Sequence, residues 1–342
     1  MKILLDISGA DKGKIVPITA AVNLVDSLGI KICLVGKKED IENELKSINK
    51  LEYIDKFEIL ECSEYVLNED EPVNAIKHKK ESNLVKAFNY LKDENEQVCF
   101  ISSSNTGALM AGALLKLGRI PGVHRPALIT LLPKVNGKDV IFLDSGANPE
   151  ARELSLVQYA VLGSIYAKCM FNEENPKIGL LNIGAEEEKG TEELKKANRK
   201  LKEIYGEQFI GNVEARYILN SRADIIVADG LMGNVAIKAL EGAVSTLKSA
   251  MKNEFTSSWL GKIKGLLIKG SVKNMMKKFN YKEHDGAVLL GVKKPVIKVH
   301  GSSNVKTYEV ALYQAKRLLE SDIINKVTNQ FIKEEMEESL EK

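Results

Sequence analysis

Lys189 and His300 are the ionisable side chains of this sequence best placed to meet an anion. Lys189 follows three glutamates in the loop NIGAEEEKG (182–190), which also carries Asn182 and Gly184. His300 opens HGSSN (300–304), ahead of Gly301, Ser302, Ser303 and Asn304, directly after an apolar run. Three more loops share this make-up: SSSNTG (102–107), with Ser104, Asn105, Thr106 and Gly107; DSGANPE (144–150), with Asn148; and DGLMGN (229–234), with Gly233 and Asn234. Each joins glycine, which lets backbone approach a ligand closely, to neutral side chains that donate hydrogen bonds. Where such a loop enters a helix, unsatisfied N–H groups and a partial positive charge favour a phosphate-like anion. Taken singly, Ser, Thr and Asn there are ordinary helix caps, and it is the recurrence over five loops that points to a site. Lys238 lies one helical turn past Asn234 on the same face. Arg125, in HRPA (124–127), could fork onto an anion or cap a turn. Lys189 also fits a surface lysine paired to its neighbours, and His300 a hydrogen-bonded structural histidine.

These loops need strands to hold them. Short apolar runs ending in glycine or small polar residues recur at 2–7, 31–36, 97–102, 127–133, 139–146, 177–184, 223–230 and 295–301, with segments of helical period between them. Strands alternating with helices predict a three-layer, Rossmann-like α/β fold around a largely parallel sheet covered on both faces. In such sheets ligands bind outside the carboxyl ends of the strands, where all five loops fall. The spacing predicts one α/β catalytic domain over 1–330. Within it, 250–282 reads as an amphipathic, lysine-rich helical appendage, and an acidic end follows at 331–342. Val305 to Lys342 reads as one long helix.

Composition narrows the classes. The 342 residues are 44% hydrophobic and carry a formal net charge of +2, which argues for a well-filled core and against nucleic acid as a partner. Cys33, Cys62, Cys99 and Cys169 form no C-x-x-C pair, so neither structural zinc nor disulfides are expected. No G-x-G-x-x-G follows a strand, and the P-loop, H-E-x-x-H and G-x-S-x-G motifs are absent. No cofactor and no metal are therefore expected. The amino-terminal apolar run is too short for a signal peptide, and no window approaches the ~20 apolar residues of a spanning helix, so a cytoplasmic location is expected.

The ordered blocks SSSNTGALMAGALL, RPAL, LDSGAN, GSIYA, GLLNIGAEEEKG, FIGNVEAR, DGLMGN and VIKVHGSSN make the chain similar to the phosphate acyltransferase (PlsX) family of bacterial phospholipid synthesis, to about residue 320. The resemblance implies transfer of an acyl group from acyl-(acyl carrier protein) to inorganic phosphate. It also implies a homodimer and a fold like isocitrate and isopropylmalate dehydrogenases and phosphate acetyltransferase. It adds Asp6, Gly9 and Asp11 as site residues from DISGAD (6–11), where Ala10 replaces a family glycine. Arg152 stands for a family lysine, Ala185 for a glutamate and Thr191 for an asparagine, while Lys189 and Gly190 are kept.

That chemistry suits the residues. Phosphate attacks a thioester, an oxyanion forms and a thiolate leaves, so the protein must mainly supply position and complementary charge. Lys189 is assigned to phosphate and transition-state charge, Asn105, Thr106, Asn148 and Asn234 to neutral donation, and His300 to phosphate or the departing sulfur. Between Phe255 and Lys278 there are six lysines and no acidic residue. They surround Trp259, Leu260, Ile263, Leu266, Leu267 and Ile268, a pattern suited to an anionic membrane, to an acidic carrier protein, or to core or dimer packing. The rival functions are a short-chain phosphate acetyltransferase, an isocitrate-type dehydrogenase and a non-catalytic scaffold that docks acyl carrier protein at the membrane.

Overall fold

The computed structural model describes residues 1–256, Gly270 and 286–340, the side chains of 334–340 excepted. In chain order the elements are β1 (Lys2–Asp6), α1 (Ile15–Leu24), β2 (Lys31–Gly36), α2 (Lys38–Ser47), β3 (Glu58–Glu61), α3 (Pro72–His78), α4 (Asn83–Asp93), β4 (Val98–Ser102), α5 (Thr106–Gly112) and β5 (Ala127–Pro133). Next come β6 (Asp139–Leu143), α6 (Glu153–Phe171), β7 (Ile178–Asn182), α7 (Glu192–Tyr205), β8 (Phe209–Glu214), β9 (Ile225–Val227) and α8 (Gly230–Thr256). The chain ends with β10 (Ala287–Leu290), β11 (Val296–Lys298), α9 (Val305–Glu320) and α10 (Ile323–Leu340).

These elements form two compact units: unit 1 holds Met1–Thr130, Ser164–Glu174 and Lys282–Lys342, and unit 2 holds Leu131–Gly163 and Asn175–Tyr281. The sequence predicts one domain over 1–330. Because the division falls inside β5 and α6, no linker composition marks it.

In unit 1 the strand order is β3-β2-β1-β4-β11-β10-β5. The chain steps outward from β1 to β3 and then returns to β4 on the other side of β1. Right-handed crossovers therefore put α1 and α2 on one face and α4 on the other. The loops after β1 and β4 diverge from that point, which is where open α/β sheets bind ligands. Every residue of β1 and β4 is buried, as expected for strands covered on both faces. The sheet is largely parallel, as expected, but mixed, because β10 pairs antiparallel with both β11 and β5. A short turn through Gly291, at φ 100°, makes β10 and β11 a hairpin.

In unit 2 the order is β6-β9-β7-β8, all parallel. Its core gathers Val140, Phe142, Leu181, Val213, Ile226 and Ile237. Gly163 of α6 lets that helix close on β9, since a Cβ there would lie 2.8 Å from Cγ2 of Ile225. α6 is long and apolar enough to cross a membrane by length and composition, yet Tyr159, Leu162 and Tyr166 along it are fully buried.

Local chemistry starts the helices. Glu71 accepts from Val73 and Asn74, Ser82 from Val85, Asn105 from Ala108, Thr191 from Leu194 and Asn304 from Thr307. The carboxyl-terminal segment is two helices, because Asp322 takes φ 52° and its carboxylate accepts from Asn325 at 3.0 Å. Of the lysine-rich appendage, the part to Thr256 continues α8, and the rest lies outside the described residues apart from Gly270.

Packing between α4 and α5 is tight enough to test. A Cβ on Gly112 would lie 2.2 Å from Cε2 of Phe88, a fully buried ring set edge-on to Phe100 at 5.5 Å. Gly112→Ala is expected to cost about 1–3 kcal/mol and lower the thermal midpoint by several degrees. A midpoint unchanged within a degree would show that Phe88 has room to move.

Candidate functional site

In unit 1 a buried carboxylate gathers the loops. Asp6 ends β1, fully buried, and its Oδ1 accepts from the Ser8 N–H at 3.0 Å and the Ser8 hydroxyl at 2.8 Å. Its Oδ2 accepts from Asn83 Nδ2 at 2.8 Å and from the hydroxyls of Ser102 at 2.7 Å and Ser104 at 2.8 Å. Burial pushes this carboxyl up from its ordinary range, while the serine donors hold it down. The loops also meet backbone to backbone. Gly9, at φ 81°, has no room for a Cβ, which would sit 2.5 Å from the Ser104 nitrogen. Asp11 donates its N–H to the Gly301 carbonyl at 2.8 Å. Positive φ falls on Gly9 and not on Ala10, so the alanine is accommodated without strain.

Lys298, at the end of β11, ties the same loops from below. Its Nζ donates to the carbonyls of Ser103 at 2.7 Å and Ser104 at 2.8 Å. Burial lowers its pKa to about 8, against the pull of Asp6 and Asp11. Tyr308 of α9 donates to the Ser103 hydroxyl at 2.7 Å, which donates on to the Ser8 carbonyl at 2.8 Å. His300 is exposed, and its Nδ1 accepts from the Ser302 N–H at 3.1 Å. In the neutral ring the proton therefore belongs on Nε2. Asn105 and Asn304 are occupied as caps, and Asn105 Nδ2 also donates to the Asn68 carbonyl at 2.9 Å. Ser303 is buried, while Thr106 and Gly107 are exposed on the β4–α5 turn.

Arg125 is not brought to this cluster. It is exposed just ahead of β5, and the register runs Ser102 to Lys298 to Ala287, three rows from the Ala127–Leu290 pair. It therefore sits at the amino ends of the parallel strands, because its turn enters β5 rather than leaving it.

Unit 2 repeats the device. Asp144 follows β6, fully buried, and its Oδ1 accepts from the N–H groups of Gly146 at 3.1 Å and Ala147 at 2.9 Å. Its Oδ2 accepts from the Asn148 N–H at 2.7 Å and side-chain amide at 2.9 Å. Asn148 Nδ2 also reaches Tyr159 Oη at 2.9 Å. The donors of DSGAN thus turn inward onto a carboxylate rather than outward to an anion. α8 is pressed onto this loop, since a Cβ on Gly233 would lie 2.0 Å from the Asp144 carbonyl and one on Gly230 2.4 Å from that of Asn148. Asp229 caps α8 by accepting from the Met232 N–H at 2.8 Å, and burial raises its pKa.

Beside it, Asn182 organises its own loop, donating to the Lys189 carbonyl at 3.0 Å and accepting from Ile183 at 2.8 Å. A Cβ on Gly184 would meet Cγ of Lys189 at 2.9 Å. Lys189 and Asn234 are exposed, and their side chains have no hydrogen-bond or ion-pair partner among the described residues. Lys238 is also exposed but pairs with Glu241 at 2.9 Å. Trp259, Leu260, Ile263, Leu266, Leu267 and Ile268 lie outside the described residues. Sequence patterning passed over Lys298, Asn83 and Asp229; for Lys298 the signal was there, a lysine inside the apolar run PVIKVHG.

The Lys298 pKa has a thermodynamic consequence. Between about pH 8 and the ordinary lysine value of 10.5 the unfolded chain holds a proton that the folded chain has lost, so stability from this group rises with pH. Burial raises the thiols of Cys33 and Cys62 and works in the opposite direction at high pH. The difference between wild type and Lys298→Met isolates the lysine. It should shift in favour of wild type by on the order of 2 kcal/mol across that window in denaturant unfolding. A flat difference would mean that Lys298 stays protonated throughout.

The fatty acid synthesis protein family matches residues 1–326. The phosphate acyltransferase of Thermoanaerobacterium thermosaccharolyticum is 41% identical over 327 residues, 96% of each chain. That of Thermoanaerobacter pseudethanolicus is 42% identical over 338 residues, 98% of each chain. Among solved structures, a phosphotransacetylase from Streptococcus pyogenes superposes with TM-score 0.60 at 19% identity over 94% of each chain. A branched-chain phosphotransacylase from Enterococcus faecalis does so with TM-score 0.55 at 12% identity, over 93% of this chain and 99% of the other. These two share the fold. The sequence matches run through the elements of both units and through every loop described above, and the chain belongs to the fatty acid synthesis protein family.

Proposed function

We propose that this protein is a phosphate acyltransferase that moves an acyl group from the thioester of acyl-(acyl carrier protein) to inorganic phosphate, feeding phospholipid synthesis. The carrying observation is the near end-to-end identity of 41–42% with proteins of that name. The site geometry adds support. Lys189 presents an ammonium with no partner among the described residues, and Asn234 an amide in the same condition. Exposed apolar side chains lie on the same loops and helix, with Ile183 at 74%, Leu231 at 60% and Val235 at 61% exposure, as an acyl substrate would require.

The chemistry follows from these groups. Phosphate oxygen attacks the thioester carbonyl, forming the C–O bond as the carbonyl electrons move to oxygen. Collapse then expels the thiolate, a leaving group of pKa about 8.5 that needs no strong acid. Lys189 holds phosphate and balances charge in the transition state, and Asn234 donates to an oxygen that gains charge. Purified protein should release free carrier protein and form acyl phosphate only when phosphate is present, with no nucleotide added. Lys189→Ala should keep its circular dichroism and thermal midpoint and lose on the order of 100-fold in turnover. Near-normal turnover would return Lys189 to the role of a surface lysine. Activity confined to acetyl thioesters would place the protein with the phosphotransacetylases whose fold it shares.

The protein works as a homodimer in peripheral contact with anionic membrane. The membrane part rests on the sequence of 255–278, where six lysines and no acidic residue accompany the apolar side chains. Burial at about 25 cal/mol per Å² and attraction of about 1 kcal/mol per lysine would act together. Replacing Leu266 and Ile268 with glutamate should release the protein from phosphatidylglycerol vesicles while leaving turnover on soluble carrier protein within a few-fold. Unchanged co-sedimentation would remove the membrane role. An insoluble or monomeric variant would reassign the segment to the core or the dimer interface.

A further inference from the structure

Lys298 is a lysine set inside an apolar strand, and its ammonium is used in a particular way. β11 pairs with β4 so that Lys298 lies opposite Ser102, the last residue of β4. From there the side chain runs under the β4–α5 turn and donates to two successive carbonyls, Ser103 at 2.7 Å and Ser104 at 2.8 Å. Two residues farther on, the same backbone carries His300. One ammonium thus links the turn bearing Asn105, Thr106 and Gly107 to the turn bearing His300, Ser302 and Asn304. A neutral apolar side chain would fill this volume without the desolvation cost of a buried charge, which falls on the ammonium with only partial relief from neighbouring carboxylates.

We propose that Lys298 is a positioning residue for the reaction, its ammonium holding the β4–α5 turn and the His300 turn in register so that their donors converge on the anionic substrate. The inference rests on the phosphate acyltransferase function proposed above. Acting through His300 and the β4–α5 turn rather than touching substrate, the group governs activity only while it is charged. The ionisable groups around it are Asp6 at the end of β1, Asp11 in the following loop, Tyr308 on α9 and His300 on its own loop. Loss of its proton near pH 8 leaves one lone pair where three N–H donors stood, so at most two remain to hold the carbonyls and the charge between the turns is gone.

The test compares wild type, Lys298→Arg and Lys298→Met in acyl phosphate formation from acyl-(acyl carrier protein), with phosphate as the varied substrate from pH 6.5 to 9.5. Wild type should show an alkaline fall in kcat/KM for phosphate centred near pH 8. Lys298→Arg, which cannot lose its proton in this range, should keep activity within about tenfold and lose that fall. Lys298→Met should lose on the order of 30-fold at pH 7, mainly as a higher KM for phosphate. A Met variant with wild-type kcat/KM and the same alkaline fall overturns the proposal, as does an Arg variant that keeps the fall. If the Met variant does not fold, the Arg profile alone decides. Should wild type form no acyl phosphate at any pH, it is the assigned reaction that fails. The link between turns is then read from the hydrogen-exchange protection factors of the Ser104 and Ser302 amides, which donate to Ser102 and His300 and should fall together above pH 8 in wild type and not in Lys298→Arg; protection factors that stay unchanged overturn it.

Discussion

Two carboxylates buried at the ends of strands hold the loops of this protein in place. Asp6 and Asp144 each follow or end the first strand of a unit, each at zero exposure, and each is surrounded by N–H or O–H donors from the loops around it. A buried carboxylate is costly unless several donors satisfy it, so each one fixes the conformation of every segment that supplies a donor. Asp6 does this between segments far apart in sequence, drawing in Asn83 and Ser104. Asp144 does it within a single turn, curling 146–148 around itself. Close glycine contacts, Gly9 on Ser104 in one unit and Gly233 on Asp144 in the other, fit the backbones to the positions the carboxylates set.

Most of the polar groups in these loops are therefore engaged in holding the loops themselves. Asn105, Asn182 and Asn304 make caps or turn bonds, and Asn148 faces inward to Asp144 and Tyr159. Among the groups that remain outward are Lys189 and Asn234, whose loop neighbours Asn182 and Asn148 are committed to the loops themselves. A rigid frame with a few outward donors is what electrostatic catalysis needs, since groups that do not reorganise lose nothing when charge develops beside them.

The α/β class and the loops at strand ends were legible from sequence because buried strands write themselves as apolar runs, as in KICLVG and ALITLLP, whose bounds coincide with β2 and β5. The strands that escaped notice are the ones that lack that signature. β3 is EILE at an edge with both ends exposed, β8 is interrupted by Gly211 and Asn212, and β10 is four residues long. The split between α9 and α10 escaped because Asp322 is an unremarkable residue until its φ is known. At the site, composition identified the loops but not which way each side chain faces. Asn148 and Lys189 look alike as donors in a sequence, and only the presence of Asp144 turns one inward.

α8 shows what the tight seat at Asp144 means mechanically. The helix runs 27 residues, about 40 Å, yet its buried positions are Gly230, Gly233 and Ile237, all near its amino end. It is a rod clamped at one end and projecting from the unit at the other. The clamp contains Asn234, so a load applied along the projecting length bears on the segment that carries that amide.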